Sequence, residues 1–238
     1  MVLVKDIQQK GISSAYIEAP FDKGKEILEQ EGYRIISLEE NAKLRIQQGE
    51  SAFVSQNGNW TIEGVLYILK KGKFLTKKSP IMTNAKQATE CHRNGQDFYL
   101  NSEQVEQSLA DCVEFPSKSI PTDRFAENEI TVYVFGNVAE DYGKFLKEVG
   151  INKMPIYLTN LHDKPFVRQM WFGDLDGRSE LDGNYGDLGG DNRLLGVRNS
   201  AEGMQENIEV YTLRDIQRAL KSTGLMGIEK LLVNELKK

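Results

Sequence analysis

Between Gly173 and Arg198 the chain carries six carboxylates, Asp174, Asp176, Glu180, Asp182, Asp187 and Asp191, interleaved with glycines, Arg178, Asn184, Tyr185 and Asn192. Closely spaced Asp and Asn oxygens are what a hard cation needs, so calcium is the first chemistry to test. An EF-hand loop opening at Asp174 would place Arg178 among the ligands, Ser179 where glycine is required and Tyr185 at the bidentate glutamate position. Opening at Asp182 places Asp187 at the glycine and Arg193 at the glutamate, so both registers fail. A phosphate cradle fails as well. Gly189-Gly190 is followed by Asp191, whose charge repels phosphate, and no Lys lies between residues 173 and 198. General acid and base work requires a carboxylate whose pKa burial has raised, whereas acids set among Gly and Arg are expected to be solvated. His92 and His162 are the two histidines, and packing or hydrogen bonding is the expected role of each. An enzyme using window carboxylates with His162 stands as the alternative. It requires one of those carboxylates to be buried beside His162. No serine nucleophile elbow is present, and neither cysteine has an activating base adjacent in sequence.

The same stretch is not uniformly polar, as a disordered segment would be. Met170, Trp171 and Phe172 precede it, Leu175, Leu181 and Leu188 are spaced through it, and Leu194, Leu195 and Val197 close it. That spacing predicts loops pinned to a core by Trp171, Leu175, Leu181, Leu188 and Val197. The polar residues between would face solvent together.

The remaining elements must build the support. A chain of 238 residues with 39% hydrophobic and 27% charged residues has the composition of a globular protein and contains no apolar run long enough to span a bilayer. A formal charge of -5 argues against binding to a nucleic-acid backbone. The one basic cluster, Lys70, Lys71, Lys73, Lys77 and Lys78, is expected to guard the edge of a hairpin around Phe74-Leu75-Thr76. Cys91 and Cys112 offer no metal spacing and are expected to be buried free thiols in or beside helices. MVLVKDIQQKG has too short an apolar stretch for a secretory signal, so the cytoplasm is the default compartment.

Residues 22–31 predict a helix ended by Gly32, followed by a strand at YRIIS. The capping box Ser37-Leu-Glu-Glu40 predicts a second helix over 38–48. SAFVSQNGNWTIEGVLYILKKGKFLT, with turn dipeptides at Asn57-Gly58 and Lys71-Gly72, predicts a β-meander. Helices over 84–94 and 101–111 flank a short strand at DFYL. EITVYVFG is expected to be a strand, AEDYGKFLKEVG a helix stopped at Gly150, and MPIYLTNL a strand. The tail, with Leu213, Ile216 and Leu220 on one face and Ile228, Leu231, Leu232 and Leu236 on another, predicts a helical hairpin. Packing on its own domain is favoured over an assembly role, which would make the chain a structural protein.

Fixed apolar anchors with mixed small polar residues between them resemble the variable region of proteins diversified by retroelements. Variable positions in that family exclude Lys, Glu, Gln, Met and Trp, and from 173 to 198 only Glu180 breaks the exclusion. Gln169-Met170-Trp171-Phe172, Arg178-Ser179 and Gly196-Val197-Arg198 are similar to the family's framework motifs. The resemblance covers residues ~125–200, and ~80–200 more loosely, and it implies a C-type-lectin fold related to the formylglycine-generating and sulfatase-modifying proteins. Three features depart from it: a tail follows the variable region, Glu-Pro-Asn and Trp-Asn-Asp calcium motifs are absent, and the copper-binding cysteine pair of the catalytic branch is missing. The expectation is therefore an α+β chain without catalysis or cofactor. It comprises an N-terminal α/β segment (1–80), a C-type-lectin-like display domain (81–200) and a helical tail (201–238). Its ligand, a protein or other macromolecule, would meet Asp174, Asp176, Arg178, Asp182, Asn184, Tyr185, Asp187, Asp191 and Asn192, with Tyr185 as the hot spot.

Overall fold

The computed structural model describes residues 1–5, 13–176 and 178–198. Contacts divide the chain into residues 1–200 and residues 201–238, and the predicted helical hairpin of the tail lies outside the described residues. In chain order the elements are β1 (Leu3–Lys5), β2 (Ser14–Ala19), α1 (Phe21–Gln30), β3 (Arg34–Ile35), α2 (Leu38–Gln48), α3 (Phe53–Gln56), β4 (Asn59–Ile68) and β5 (Gly72–Thr76). They continue with α4 (Ala85–Arg93), β6 (Phe98–Tyr99), α5 (Ser102–Leu109), β7 (Cys112–Glu114), β8 (Ser119–Pro121), α6 (Glu129–Phe135) and α7 (Ala139–Glu148). The last strands are β9 (Lys153–Tyr157), β10 (Phe166–Phe172), β11 (Leu181–Asp182) and β12 (Asn192–Val197). The class is α+β, as expected.

The sheet runs β1-β2-β12-β4-β10-β11-β9-β8, with β3 on β12, β5 and then β7 beside β4, and β6 on β10. Strands β2 and β12 are antiparallel from Ala19 opposite Asn192 to Ser14 opposite Val197. The N-terminal segment thus supplies β2 and β4, the two strands that flank β12. Strand β4 is buried on both faces because helices cover both. Val65 and Tyr67 join one core with Leu38 of α2, Val134 of α6 and Leu146 of α7. Trp60, Leu66 and Ile68 join the other with Phe21 and Leu28 of α1 and Ala88 of α4.

The Ser37 capping box forms as read, with Ser37 Oγ accepting from the Glu40 amide and the Glu40 carboxylate accepting from the Ser37 amide. The register between β4 and β10 shifts between Gln169 and Trp171. Beside this irregularity the buried Glu63 accepts the Leu38 amide of α2 at 3.1 Å on each oxygen. Burial pushes its pKa up to about 7.

Four expectations are corrected. EITVYVF is helix α6, although its residues favour strands. Asn128 caps it by accepting the Ile130 amide at 3.1 Å, Thr131 donates to the Phe125 carbonyl at 2.6 Å, and Ile130, Val134 and Phe135 reach the core at helical spacing. Tertiary burial outweighs β-propensity there. FVSQ is the short helix α3, so Asn57-Gly58 is no hairpin turn and the meander begins only at β4. Strand β5 is not an edge, because β7 pairs with the side away from β4. Cys112 lies in β7, and both cysteines are free thiols only partly buried.

Candidate ligand-display surface

Strands β10, β11 and β12 leave two loops between them, residues 173–180 and 183–191. The apolar residues that frame them sit as the spacing predicted. Leu175 is 7% exposed, while Leu181, Leu188, Leu194, Leu195 and Val197 are at or below 2%. Trp171 is only partly buried.

The first loop closes on itself. The Gly173 amide donates to the Glu180 carbonyl at 2.9 Å, the Ser179 amide to the Asp174 carbonyl at 2.9 Å, and the Asp176 amide to Asp174 Oδ1 at 3.0 Å. From below, the Leu175 amide donates to the Ser55 carbonyl of α3 at 2.8 Å. Ser179, with φ 49°, turns its hydroxyl inward to 2.7 Å from the Tyr142 hydroxyl of α7. Between them lies Arg45 of α2, fully buried. It donates to the Gly173 carbonyl at 2.7 Å, the Val54 carbonyl at 3.1 Å, Tyr142 at 3.1 Å and Ser179 at 3.3 Å, with its guanidinium 4.0 Å from the centre of the Phe172 ring. No carboxylate pairs with it among the described residues. Carbonyl and hydroxyl dipoles with a ring face solvate the charge instead.

The second loop is held at more points. Asp182 Oδ1 accepts the Asn184 and Tyr185 amides at 2.6 and 2.9 Å, and the buried Tyr67 hydroxyl donates to the Gly183 carbonyl at 2.9 Å. Asp187 Oδ1 accepts the Gly190 amide at 2.9 Å, Asn192 Nδ2 donates to the Asp187 carbonyl at 2.7 Å, and the Tyr185 hydroxyl donates to Asn192 Oδ1 at 2.9 Å. Arg168 of β10 donates to the Asn184 carbonyl and is itself oriented by Asp97, which it meets at 2.9 Å. His162 Nδ1 lies 2.9 Å from the other oxygen of Asp97. Beside Arg168, His92 packs against Gly186. Burial, with Arg168 adding, lowers the His92 pKa, and the Gly186 backbone, Asp97 and Asp187 oppose the shift.

An aromatic trio sits beside this loop. Trp60, Trp171 and Tyr185 have ring centroids 5.2 to 5.4 Å apart. Trp60 is fully buried, and Tyr185 is 39% exposed. A side chain at Gly58 would stand 2.8 Å from the Trp171 ring, so the close approach there requires glycine.

Of the nine residues singled out in the sequence, Asp174, Asp182, Tyr185, Asp187 and Asn192 therefore use their side chains on the loops themselves. The side chains of Asp176, Arg178, Asn184 and Asp191 are solvent-exposed and make no hydrogen bond or ion pair among the described residues. The expectation of an evenly solvated acidic array is corrected at two positions. Asp182 and Glu180 are half-buried with raised pKa values, burial being the main cause, and for Glu180 the charges of Asp174 and Asp182 add to it. Asp182 turns inward because two backbone amides need its oxygen. The carboxylate partner of His162 is Asp97, outside the acidic stretch, which is not the pairing the enzymatic alternative requires. Among the described residues no three His, Cys, Asp or Glu side chains converge in a metal-holding group. None of the described helices is long and apolar enough to cross a membrane.

Arg45, Tyr142, Arg168 and Asp97 carried no local signal in the sequence. Each lies far along the chain from the loop it holds, and an isolated Arg or Tyr in an amphipathic segment reads as surface or core.

No family model and no curated protein matches the sequence. The structure is similar to a solved chain described as accommodating massive sequence variation in Nanoarchaeota by the C-type lectin fold. The TM-score is 0.62 and the identity 19%, over 81% of this chain and 100% of that one. The chain has a C-type lectin fold.

Proposed function

We propose that this chain is a non-catalytic ligand-binding protein of receptor or adhesin type, that residues about 173–193 form its binding surface, and that it is a variable protein of the retroelement-diversified class. The sulfatase-modifying proteins would be its relatives in fold. The observation that carries this reading is a division of labour within the loops. Backbone geometry is set by buried leucines, by Arg45 and Arg168, and by the side chains of Asp174, Asp182, Asp187 and Asn192 bonded to the loops' own backbone. The side chains of Asp176, Arg178, Asn184 and Asp191 contribute nothing to it, so their replacement leaves the frame intact. Tyr185 adds a ring seated on two tryptophans, large in area and low in lost entropy. Outward residues on rigid loops suit recognition of a protein or other macromolecule.

The test is a displayed library of the full chain randomised at positions 176, 178, 184, 185 and 191 and selected against unrelated folded proteins. Most members are expected to retain the parental melting temperature within about 3 °C, and binders to more than one target should emerge. Widespread unfolding would overturn the frame, and a well-folded library without binders would overturn the binding role. At the nucleotide level, a near-repeat of the 171–198 coding stretch differing mainly at adenines is expected beside a reverse-transcriptase gene.

A further inference from the structure

A cavity of about 760 Å³ lies away from both display loops, between α1, the segment 77–84 and α5. Its volume falls in the range of small-molecule sites. Ile35, Ile62, Pro80 and Met82 supply an apolar wall.

The polar groups around that wall are unequally occupied. Glu29 is paired with Lys25 at 2.7 Å, Glu103 accepts from Gln107 at 3.1 Å, and Arg34 is held by Glu40 at 2.8 Å. The Ser79 hydroxyl donates to Gln169 at 2.8 Å. Lys78, by contrast, has no acidic partner among the described residues, whereas the Lys77 ammonium lies 5.0 Å from the Tyr133 ring and interacts with the Glu63 carboxylate. Ser108 is 6% exposed and lines the cavity, and its hydroxyl has no hydrogen bond among the described residues. Of the two acids in the lining Glu29 is ion-paired and Glu103 accepts a neutral amide, while Lys78 and the Ser108 hydroxyl have no partner among the described residues. Such a site selects a negative charge attached to an apolar body.

We propose that this cavity binds a small amphipathic organic anion, with its carboxylate at Lys78 and the Ser108 hydroxyl and its apolar portion on Ile35, Ile62, Pro80 and Met82. The site shares no residue with the display loops.

Three probes of equal chain length separate charge from greasiness: octanoate, octanol and octylammonium, titrated into the full chain and followed by calorimetry and by amide chemical shifts. Octanoate is expected to bind saturably, shifting amides of residues 78–84 and 103–108, and at least about tenfold more tightly than octylammonium. Lys78→Glu should weaken octanoate about tenfold or more and erase that preference, and Ser108→Ala should weaken it about threefold. If Lys78→Glu folds poorly, the wild-type chain still decides, since octanoate affinity must fall as NaCl is raised. Equal binding of all three probes, tighter binding of octylammonium, no saturable octanoate binding, or an octanoate constant indifferent to salt and to Lys78→Glu would each overturn the proposal. Unchanged octanoate binding in a Tyr185→Ala chain keeps this outcome separate from that of the display surface.

Discussion

Arg45 carries more of the candidate site than any residue on its surface. A buried guanidinium without a carboxylate has its desolvation offset only by good dipoles, and here those dipoles belong to the loop it orders: Gly173 and Ser179 at its two ends, with Tyr142 and Val54 behind. Arg45→Ala removes four donated bonds and leaves acceptors in a dry interior. The expected cost is about 3–5 kcal/mol, read as a lower urea midpoint, with loss of amide protection at Gly173 and Ser179. A cost below about 1 kcal/mol would mean that the loop holds itself. The reason the sequence did not reveal Arg45 is physical: position 45 lies at helical spacing on the face of Leu38 and Ala42, but the carbonyls and hydroxyls that make a guanidinium tolerable there come from distant segments.

At the scale of elements, the loop 183–191 rests on a cation and an imidazole together. Arg168 holds the Asn184 carbonyl, and both its guanidinium and the ring of His92 of α4 stand at Gly186. The groups that face His92 are Arg168 of β10, Asp97 ahead of β6, and Asp187 in the loop itself. His92 has a folded pKa below its ordinary value of 6.5, so between the two values the unfolded chain takes up a proton that the folded chain refuses. Its contribution is complete above pH 6.5 and is lost as pH falls from there through the folded value. Glu63 acts in the opposite sense. With a folded pKa of about 7 against 4.5, it destabilises the fold progressively as pH rises through that interval. The two are separated by His92→Gln: the difference in unfolding free energy between wild type and variant should shift in favour of the variant below pH 6.5, with amide protection factors of residues 184–186, corrected for intrinsic exchange, falling in the wild type on acidification. A difference constant from pH 8 to 5 would show that the imidazole does not couple to the loop. Much of this level was legible. The leucine spacing gave the anchors, Ser37 and Glu40 gave the start of α2, and Gly150 the end of α7. Helix α6 was not, since its β-branched and aromatic run becomes helical because Asn128 satisfies a first-turn amide and one core takes Ile130, Val134 and Phe135 at helical spacing. The inward turn of Asp182 was hidden for a related reason: which backbone amides lack partners is known only once the loop is folded.

At the scale of the whole molecule, the loops are ordered because β12 returns to the first strands of the chain. Gly196 lies opposite Ala15 of β2 and Ile35 of β3, and a Cβ there would stand 2.8 Å from Leu28 and 3.0 Å from Tyr33, so α1 packs directly on the strand backbone. Gly196-Val197-Arg198, read in the sequence as part of a framework motif, thus has a steric cause: no side chain fits between β12 and α1. This separates two kinds of substitution that a purely local view would not. Gly196→Val, buried and remote from any ligand, is expected to cost about 2–4 kcal/mol by forcing α1 off the sheet, lowering the melting temperature and the amide protection of Gly190 and Asn192 together. Tyr185→Ala, in the middle of the proposed display surface, forfeits one hydrogen bond to Asn192 and some ring contact, and is expected to cost about 1 kcal/mol. Differential unfolding and hydrogen exchange on the two variants check the ordering. If Tyr185→Ala proved the more destabilising, the surface would be part of the core it covers, and a face that cannot change without unfolding its scaffold is unsuited to displaying interchangeable contacts.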